Sequence, residues 1–372
     1  MTTAVSDDVW IGVDNLLDAY LGVGSDDYLA IVYSPECREV AAWVTVAAKR
    51  RAISTTAVGM AAMTDPGLAT RLATALPLPG SLPGRMVVLT VERDSMSHFD
   101  VFRDLTTAHG ADRCKVVRII SGSAEFFSQT MLLPPETLSA YNAALLRRLR
   151  TAGAARITTP SGSDLSVEFD HDRYQWTSNR GIKGGSGFLI LPPGEVATFP
   201  ARINGTLVAD AAFNVNVFTR LDARLRDHPV TVEIVDSTAA DFICADPDVR
   251  RLLELCWDLP HARRVGELGF GTNAGVTALT PLNSHINERL PGVHIGFGQH
   301  NQDIKIIDYY CEVHLDLIAS GGLVTTDVDD EPIDLGEPRD DGSPHPDGVN
   351  DEDIDGDCCA LTVDQCLILR NG

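Results

Sequence analysis

Four short apolar segments carry side chains of the types that bind divalent metal ions. VGELGFG contains Glu267, GVHIGFG contains His294, EVHLDL contains both His314 and Asp316, and LPPGEVATFP contains Glu195. Side chains two residues apart on a strand project to the same face, so His314 and Asp316 would offer an imidazole and a carboxylate to one ion. The spacing therefore predicts a metal site built on short strands.

The composition of this group suggests which ions it would bind. Two histidines and three carboxylates can hold two divalent ions if a carboxylate bridges them. Such a set suits zinc, cobalt or manganese better than magnesium or copper. The alternative is that each residue is an ordinary polar group at a strand edge. Burying unpaired carboxylates among apolar strands is unfavourable, and a bound ion compensates their charge, so the sequence favours the metal site.

The same segments resemble a known family of enzymes. PGEVATFP followed by NGT, then ELGFGTN, GVHIGFG and HLD, is similar to the landmarks of the aminopeptidase T and aminopeptidase S metallopeptidases, in the same order. The resemblance covers roughly residues 161–334. The metal ligands that it implies are Glu195, Glu267, His294, His314 and Asp316.

The resemblance also implies an activity. It suggests a hydrolase that cleaves an N-terminal peptide or amide bond with a metal-activated water, acting on a small peptide or amide and forming a homodimer. By analogy, Glu267 would move a proton from the water to the leaving amine. Because the family tyrosine is absent and the ligand spacing is shortened, the substrate could also be a specialised one from a biosynthetic reaction.

Two departures from the family pattern concern catalysis. GQHN stands where the family has a catalytic tyrosine, so that His300 or Asn301 takes the place of the phenol. His300 is either a replacement proton donor or a polar loop residue. In addition, HLD replaces HWD, and the interval from His294 to His314 is shorter than is usual in the family.

Three further residues are candidates for roles around the reaction. Arg180, in the loop SNRGIKGGSG, and Asn301 are predicted to contact the substrate. Arg180 could bind a carboxylate, and a mobile surface charge is the alternative. Glu288, in the turn NERLPG, is a second acidic candidate that we expect to face solvent.

Two other functions remain open. His294, His314 and Asp316 could form the two-histidine, one-carboxylate face of a mononuclear iron dioxygenase, and the HLD segment also resembles 2,5-dihydroxypyridine dioxygenases. Against this, Glu267 stands where those enzymes have a histidine. The third possibility is an inactive relative that keeps the fold and the metal.

Composition excludes several classes of protein. The formal net charge of −22 argues against nucleic acid as a partner, because phosphate binding needs a basic face. The sequence shows neither a long apolar run nor a signal-peptide pattern at MTTAVSDDVW, so a cytoplasmic protein without membrane contact is expected. The eight cysteines include no CxxC pair, so a disulfide framework is not expected.

The order of elements predicts two domains. Up to about residue 153, strand patterns such as YLAIVY and MVVLTVE alternate with amphipathic helices, which indicates an α/β domain with a parallel sheet. Residues 154–372 contain short strands separated by Gly, Pro and Asn, which predicts a β-rich α+β domain that holds the metal site. Between residues 327 and 357 the chain has 14 acidic residues and one arginine, so we expect a flexible acidic loop at about 338–357. ALTVDQCLIL is predicted to form a final strand.

Overall fold

The structure is a computed structural model that describes residues 5–93, 97–182 and 188–349. The chain divides into two compact units. Among the described residues, the first unit contains those up to Pro135 and those from Gly181 to Pro193, and the second contains Glu136 to Arg180 and everything from Gly194 to residue 349. None of the helices in these ranges has the length and apolar character that a bilayer crossing requires. The final strand predicted from ALTVDQCLIL lies outside the described residues.

The first unit is a parallel α/β structure. Its helices are α1 Asp7–Asn15, α2 Arg38–Arg50, α3 Leu68–Ala75 and α4 Phe99–His109, and its strands are β1 Tyr28–Tyr33, β2 Ser54–Gly59, β3 Met86–Val91, β4 Cys114–Ile119 and β8 Leu189–Leu191, numbered in chain order. The strands form one sheet in the order β2-β1-β3-β4-β8, and all neighbouring strands are parallel. The predicted α/β class of this part of the chain is confirmed.

The central strands follow directly from their sequences. YLAIVY and MVVLTV are continuous apolar runs, and both become strands buried on their two faces, as a parallel sheet covered on both sides requires. The sequence did not predict β2 or α3. The residues of β2 are largely exposed at the sheet edge, so they lack the apolar run that marks the central strands.

The first unit contains a fully buried ion pair between Arg118 on β4 and Glu92, which follows β3. Arg118 also donates to the Ser97 carbonyl at 2.7 Å and to Thr90 Oγ1 at 3.1 Å. Glu92 accepts hydrogen bonds from the backbone N–H of Ser97 at 2.9 Å and from its hydroxyl at 2.6 Å. The pair therefore ties the loop after β3 to the neighbouring strand.

We expect Glu92→Gln to destabilise the protein by about 3–5 kcal/mol, because it leaves the buried Arg118 guanidinium without its counterion. Urea unfolding followed by circular dichroism measures the change. Asp164→Asn, which breaks an exposed ion pair with Arg156, is the control and should leave the unfolding midpoint nearly unchanged. Equal midpoints for the two variants would show that the buried pair contributes nothing to stability.

The second unit is β-rich, as the sequence predicted. Its strands are β5 Ala154–Thr158, β6 Asp164–Glu168, β7 Trp176–Asn179, β9 Glu195–Thr198, β10 Arg202–Ala209, β11 Ala212–Val215, β12 Val230–Val235, β13 Thr238–Ile243, β14 Val265–Gly271, β15 Gly292–Gly298, β16 His314–Ser320, β17 Leu323–Thr326 and β18 Ile333–Asp334. Its helices are α5 Pro135–Leu149, α6 Pro247–Trp257 and α7 His285–Glu288.

Two antiparallel sheets form the framework of this unit. One has the order β13-β12-β10-β6-β5-β17-β18, and the other has the order β11-β16-β15-β14-β9-β7. Residues from both sheets belong to one hydrophobic core, including Val167 and Val232 from the first sheet and Phe270 and Ile295 from the second. The second sheet thus buries one face in this core, and its other face carries polar side chains beside a small apolar cluster that includes Ile318.

Two features of the second unit differ from the expected domain organisation. Apart from its first residue, α5 belongs to this unit, whereas the sequence placed it at the end of the first domain; its Leu146 and Leu149 pack in the core of the second unit. The acidic segment, in its described part up to residue 349, lies against α5 and β7. Asp341 pairs with Arg147 at 2.7 Å, and the ring of His345 is hydrogen-bonded to the Ser178 hydroxyl at 2.8 Å.

Candidate metal centre

The five predicted ligands lie on one face of the six-stranded sheet. Glu195 is on β9, Glu267 on β14, His294 on β15, and His314 and Asp316 on β16, and these four strands are adjacent in the sheet. Their neighbours in sequence, such as Val196, Leu268, Ile295 and Leu315, belong to the hydrophobic core behind the sheet. The alternation of strand side chains therefore separates a buried apolar face from a face that carries the ligands.

A β-bulge at the start of β14 makes this arrangement possible. Strict alternation would place Val265 and Glu267 on the same face, but the pairing register with β15 shifts between them. As a result Val265 and Leu268 both reach the core, while Glu267 projects from the other face. Bulges often re-aim a side chain beside a functional site, and here the bulge brings Glu267 to the other ligands.

Glycines on the same face provide the space that the ligands occupy. Gly269 is paired with His294, and Gly296 lies between Glu267 and Asp316 in one row across three strands. A Cβ atom on Gly269 would overlap the His294 ring. A Cβ atom on Gly296 would stand 2.8 Å from His314 Cε1 and 2.9 Å from Asp316 Oδ1. The sequence signature of alternating glycines thus reflects side chains that lie over the neighbouring strand.

The ligand atoms form a continuous chain of short distances. His294 Nε2 lies 3.0 Å from Glu195 Oε1 and 3.8 Å from Glu267 Oε1. His314 Nε2 lies 3.9 Å from Glu267 Oε2 and 3.0 Å from Asp316 Oδ1. Ligands of one zinc ion with bond lengths of about 2.1 Å stand roughly 3.4 Å apart, so these separations suit shared ions. Glu267 lies between the two histidines and is the member of the group placed to bridge them.

The histidine nitrogens show that the group fits a metal ion. His314 Nδ1 is hydrogen-bonded to the Gln299 carbonyl at 2.8 Å, which directs Nε2 towards Asp316 and Glu267. A hydrogen bond of this kind commonly orients a metal-binding histidine. His294 is 1% exposed, and its Nε2 faces the carboxylates of Glu195 and Glu267. A buried imidazole nitrogen beside two carboxylates is the arrangement in which a divalent ion is bound.

Electrostatics within the group are dominated by burial and by neighbouring charges. Burial alone would raise the pKa of Glu195, but Arg289 and His294 lower it to about 2. Burial raises the pKa of Glu267 to about 7. Burial disfavours the charged form of His294, but Glu195 and Glu267 raise its pKa to about 10, and the pKa of His314 is also raised. The neighbouring carboxylates thus favour the protonated forms of both imidazoles, and a binding metal ion would have to displace such protons.

The structure brings two further residues to the site: Glu288, a second acidic candidate in the sequence, and Arg289, which the sequence did not single out. Glu288 was expected to face solvent, but it is 4% exposed, and burial raises its pKa to about 7. It accepts hydrogen bonds from Asn214 on β11 and from Arg289. Arg289 also forms an ion pair with Glu195. In sequence, both residues fall in a Pro- and Gly-containing turn, which has no periodicity that could indicate burial.

Asn142 on α5 positions the strand that carries Glu195. Its side-chain amide donates to the Glu195 carbonyl at 2.9 Å and to the Ser178 hydroxyl at 3.0 Å. Its side-chain carbonyl accepts a hydrogen bond from Thr272, just after β14, at 2.5 Å. One buried amide therefore connects α5 with the ends of three strands, including two that carry ligands.

The remaining predicted residues take other positions. His300 is buried and uses both ring nitrogens in its own loop, with Nε2 bonded to the Tyr309 carbonyl at 2.9 Å and Nδ1 accepting from Gln302 N–H at 3.2 Å. Burial lowers the pKa of His300. This favours a loop-holding residue over a proton donor, because donation would require one of these bonds to break.

Asn301 and Arg180 each form a side-chain hydrogen bond with a neighbouring residue. Asn301 is 2% exposed and accepts a hydrogen bond from Gln302 at 2.8 Å, while its amide nitrogen makes no hydrogen bond with the described residues. Arg180 is half-buried and donates to the Ser139 hydroxyl on α5 at 3.1 Å. Contact of either residue with a substrate stays a prediction.

Comparison of the sequence with protein families gives one match, which covers part of the chain. A family model described as crocagin biosynthetic protein CgnE/B matches residues 203–315. This match includes Glu267, His294 and His314 and ends before Asp316. No curated protein sequence matches significantly.

Two solved structures share the fold. The chain is similar to 2,5-dihydroxypyridine dioxygenase from Pseudomonas putida KT2440, with a TM-score of 0.59 and 13% identity over 96% of this chain and 99% of that one. It is also similar to wild-type AmpT from Thermus thermophilus, with a TM-score of 0.52 and 17% identity over 89% of this chain and 98% of that one. At these identities, the likeness shows a distant structural relationship, which concerns the fold alone.

Proposed function

We propose that the chain is a metal-dependent hydrolase of the aminopeptidase type that cleaves a peptide or amide bond next to a free amino group. The observation that carries this proposal is the gathering of two histidines and three carboxylates on one face of a sheet. Donor atoms of Glu195, Glu267 and His294 lie within 4.8 Å of one another, as the ligands of one ion would. The oxygen-rich ligand set suits zinc, cobalt or manganese. The structural likeness to AmpT supports the same activity through the fold alone.

Different residues of the chain would bind the ion, transfer the proton and position the ligands. A bound divalent ion would supply Lewis-acid activation of the scissile carbonyl and of the attacking water. Glu267 lies with one oxygen towards each histidine and, with a pKa raised towards neutrality, is suited to accept a proton from the nucleophile and return it to the leaving amine. The Gln299 carbonyl fixes the ring of His314, and the Asn142 amide fixes the backbone of Glu195.

A biosynthetic substrate is part of the proposal. The family model that matches residues 203–315 describes biosynthetic proteins, and it covers three of the five predicted ligands, Glu267, His294 and His314. By the resemblance, His300 or Asn301 stands at the position of the family tyrosine. Both points support a substrate more specialised than those of a general peptidase. The homodimer and the cytoplasmic location stay predictions.

One observation favours a second candidate function. His294, His314 and Asp316 alone supply two imidazoles and one carboxylate, the set used by non-haem iron oxygenases. The likeness to 2,5-dihydroxypyridine dioxygenase supports this alternative through the fold. Glu195 and Glu267, which add two buried carboxylates to the same group, support the hydrolase instead.

Metal removal tests the proposal. We expect EDTA treatment and dialysis to abolish hydrolysis of a panel of aminoacyl amides and short peptides, and zinc, cobalt or manganese to restore it. EDTA saturated with zinc beforehand is the control and should leave activity unchanged. Restoration by ferrous ion alone, with oxygen consumption on a dihydroxylated aromatic ring, would favour the dioxygenase. Metal binding without turnover on the whole panel would favour an inactive relative, and full activity in metal-free protein would refute the hydrolase.

A further inference from the structure

The turn at the end of α7 is connected to the candidate metal centre through one arginine. Glu288 is the last residue of α7 and Arg289 follows it, and both side chains are 5% exposed. Arg289 Nη1 lies 3.1 Å from Glu288 Oε2 and 2.7 Å from Glu195 Oε2. The other oxygen of Glu195, Oε1, lies 3.0 Å from His294 Nε2. One buried guanidinium nitrogen therefore joins Glu288 to a predicted ligand.

The sheet holds Glu288 from its other side. Glu288 Oε1 accepts a hydrogen bond from the side-chain amide of Asn214 on β11, and Asn214 is paired in register with Asp316 on β16. Asn214 and Glu288 are 5% and 4% exposed. The contacts form a buried polar network of four side chains, which runs from Asn214 through Glu288 and Arg289 to Glu195. This network begins beside one predicted ligand and ends on another.

The backbone of the same turn is fixed against the sheet that carries the ligands. The Asn287 side chain accepts a hydrogen bond from the Thr280 N–H at 2.9 Å and donates one to the Thr280 carbonyl at 3.1 Å. Gly271 on β14, which is paired with Glu195, allows the turn to approach, because a Cβ atom there would overlap the Leu290 carbonyl oxygen. The turn is therefore a firm support for the side chains that reach Glu195.

We propose that Glu288 and Arg289 are positioning residues of the metal centre, which hold Glu195 with one oxygen turned towards His294. This inference rests on the proposed metal centre and adds two residues that act on an ion through Glu195. A guanidinium is planar and its donors have fixed directions, so an Arg289 that is itself held by Glu288 restricts the Glu195 carboxylate to one orientation. Groups that orient metal ligands in this way commonly change metal affinity about 10- to 100-fold when they are removed.

A double-mutant cycle on zinc affinity tests this inference without relying on activity. The affinity of the full chain is measured by competition with a zinc-binding dye. We expect Glu288→Gln to weaken zinc binding about 10- to 100-fold in the wild-type background, because Arg289 loses its charged partner and Glu195 its fixed orientation. In a Glu195→Ala background the same change should alter the affinity by less than about 2-fold, because the network has no ligand left to hold.

Glu92→Gln is the control for an effect of stability. It breaks the buried ion pair with Arg118 in the first unit, so it should lower the unfolding midpoint and leave the zinc affinity unchanged. The cycle also distinguishes orientation from charge. If Glu288 acted on the ion only through its negative charge, its replacement would weaken zinc binding equally in both backgrounds, because Glu195 would not mediate the effect.

The outcomes separate this inference from the proposed function. Equal losses of affinity in the two backgrounds, or no loss in either, would overturn the positioning role and leave the metal centre intact. No zinc binding by the wild-type protein would overturn the metal centre, and the inference with it. The expected cycle without any hydrolysis would support the positioning role and contradict only the hydrolase. If Glu288→Gln does not fold, Asn214→Ala, which removes a donor to Glu288, is the second variant and should weaken zinc binding in the wild-type background alone.

Discussion

Replacing Glu267 with glutamine is expected to lower turnover by at least about 100-fold, the usual range for the loss of a proton-transferring group. The amide cannot accept a proton, and it carries no charge to balance an ion between His294 and His314, to which the two Glu267 oxygens are directed. We therefore expect metal affinity to fall as well. Steady-state kinetics on the best aminoacyl amide and competition with a zinc-binding dye measure the two effects separately.

Glu233→Gln is the control for this variant. Glu233 lies on β12 in the same unit and is exposed, so its loss removes a carboxylate without touching the group. The control should keep wild-type turnover and metal affinity. A Glu267→Gln protein that is folded and turns over at the wild-type rate would exclude Glu267 from the reaction and remove the main support for the hydrolase.

Replacing Gly269 with alanine is expected to eliminate most metal binding by a steric clash, without removing any ligand. The new methyl group would overlap the His294 imidazole, which must rotate away from Glu195 and Glu267. A metal present at 100 times its dissociation constant stabilises a protein by about 2.7 kcal/mol, and a 100-fold loss of affinity reduces this to below about 1 kcal/mol. Thermal unfolding with and without zinc measures this gain in stability.

Gly24→Ala is the matched control. A Cβ atom at Gly24 would have no heavy atom within 4 Å, so this variant adds the same methyl group in open space. It should show the wild-type stabilisation by zinc. If Gly269→Ala kept the full stabilisation, His294 would not be a ligand in the position that the structure gives it.

The sequence predicted much of the fold because the relevant signals are local. The apolar runs YLAIVY and MVVLTV become the central strands of the parallel sheet, and short strands separated by Gly and Pro become the antiparallel sheets. Alternation along one strand also placed His314 and Asp316 on one face correctly. The boundary between the units was less predictable, because α5 has the same amphipathic pattern whichever core its apolar side packs against.

The surroundings of the candidate site needed the tertiary structure. By the family resemblance, His300 or Asn301 takes the place of a catalytic tyrosine, but only the fold shows that Tyr309 and Gln302 occupy the two ring nitrogens of His300. Glu288 and Arg289 belong to a turn that has the composition of a solvent-exposed loop, yet both are buried. Burial of such residues depends on long-range partners, here Asn214 and Glu195, which no local pattern reveals.

The sequence by itself determined which candidate ligands the chain contains. It also determined that they alternate with core residues along strands, since both features depend only on a few neighbouring positions. The order of the strands, which brings β9, β14, β15 and β16 side by side, was decided by the tertiary structure, because strand pairing joins segments far apart in the chain. The bulge before Glu267 was decided in the same way: the core accepts both Val265 and Leu268, and the backbone between them turns the carboxylate to the opposite face.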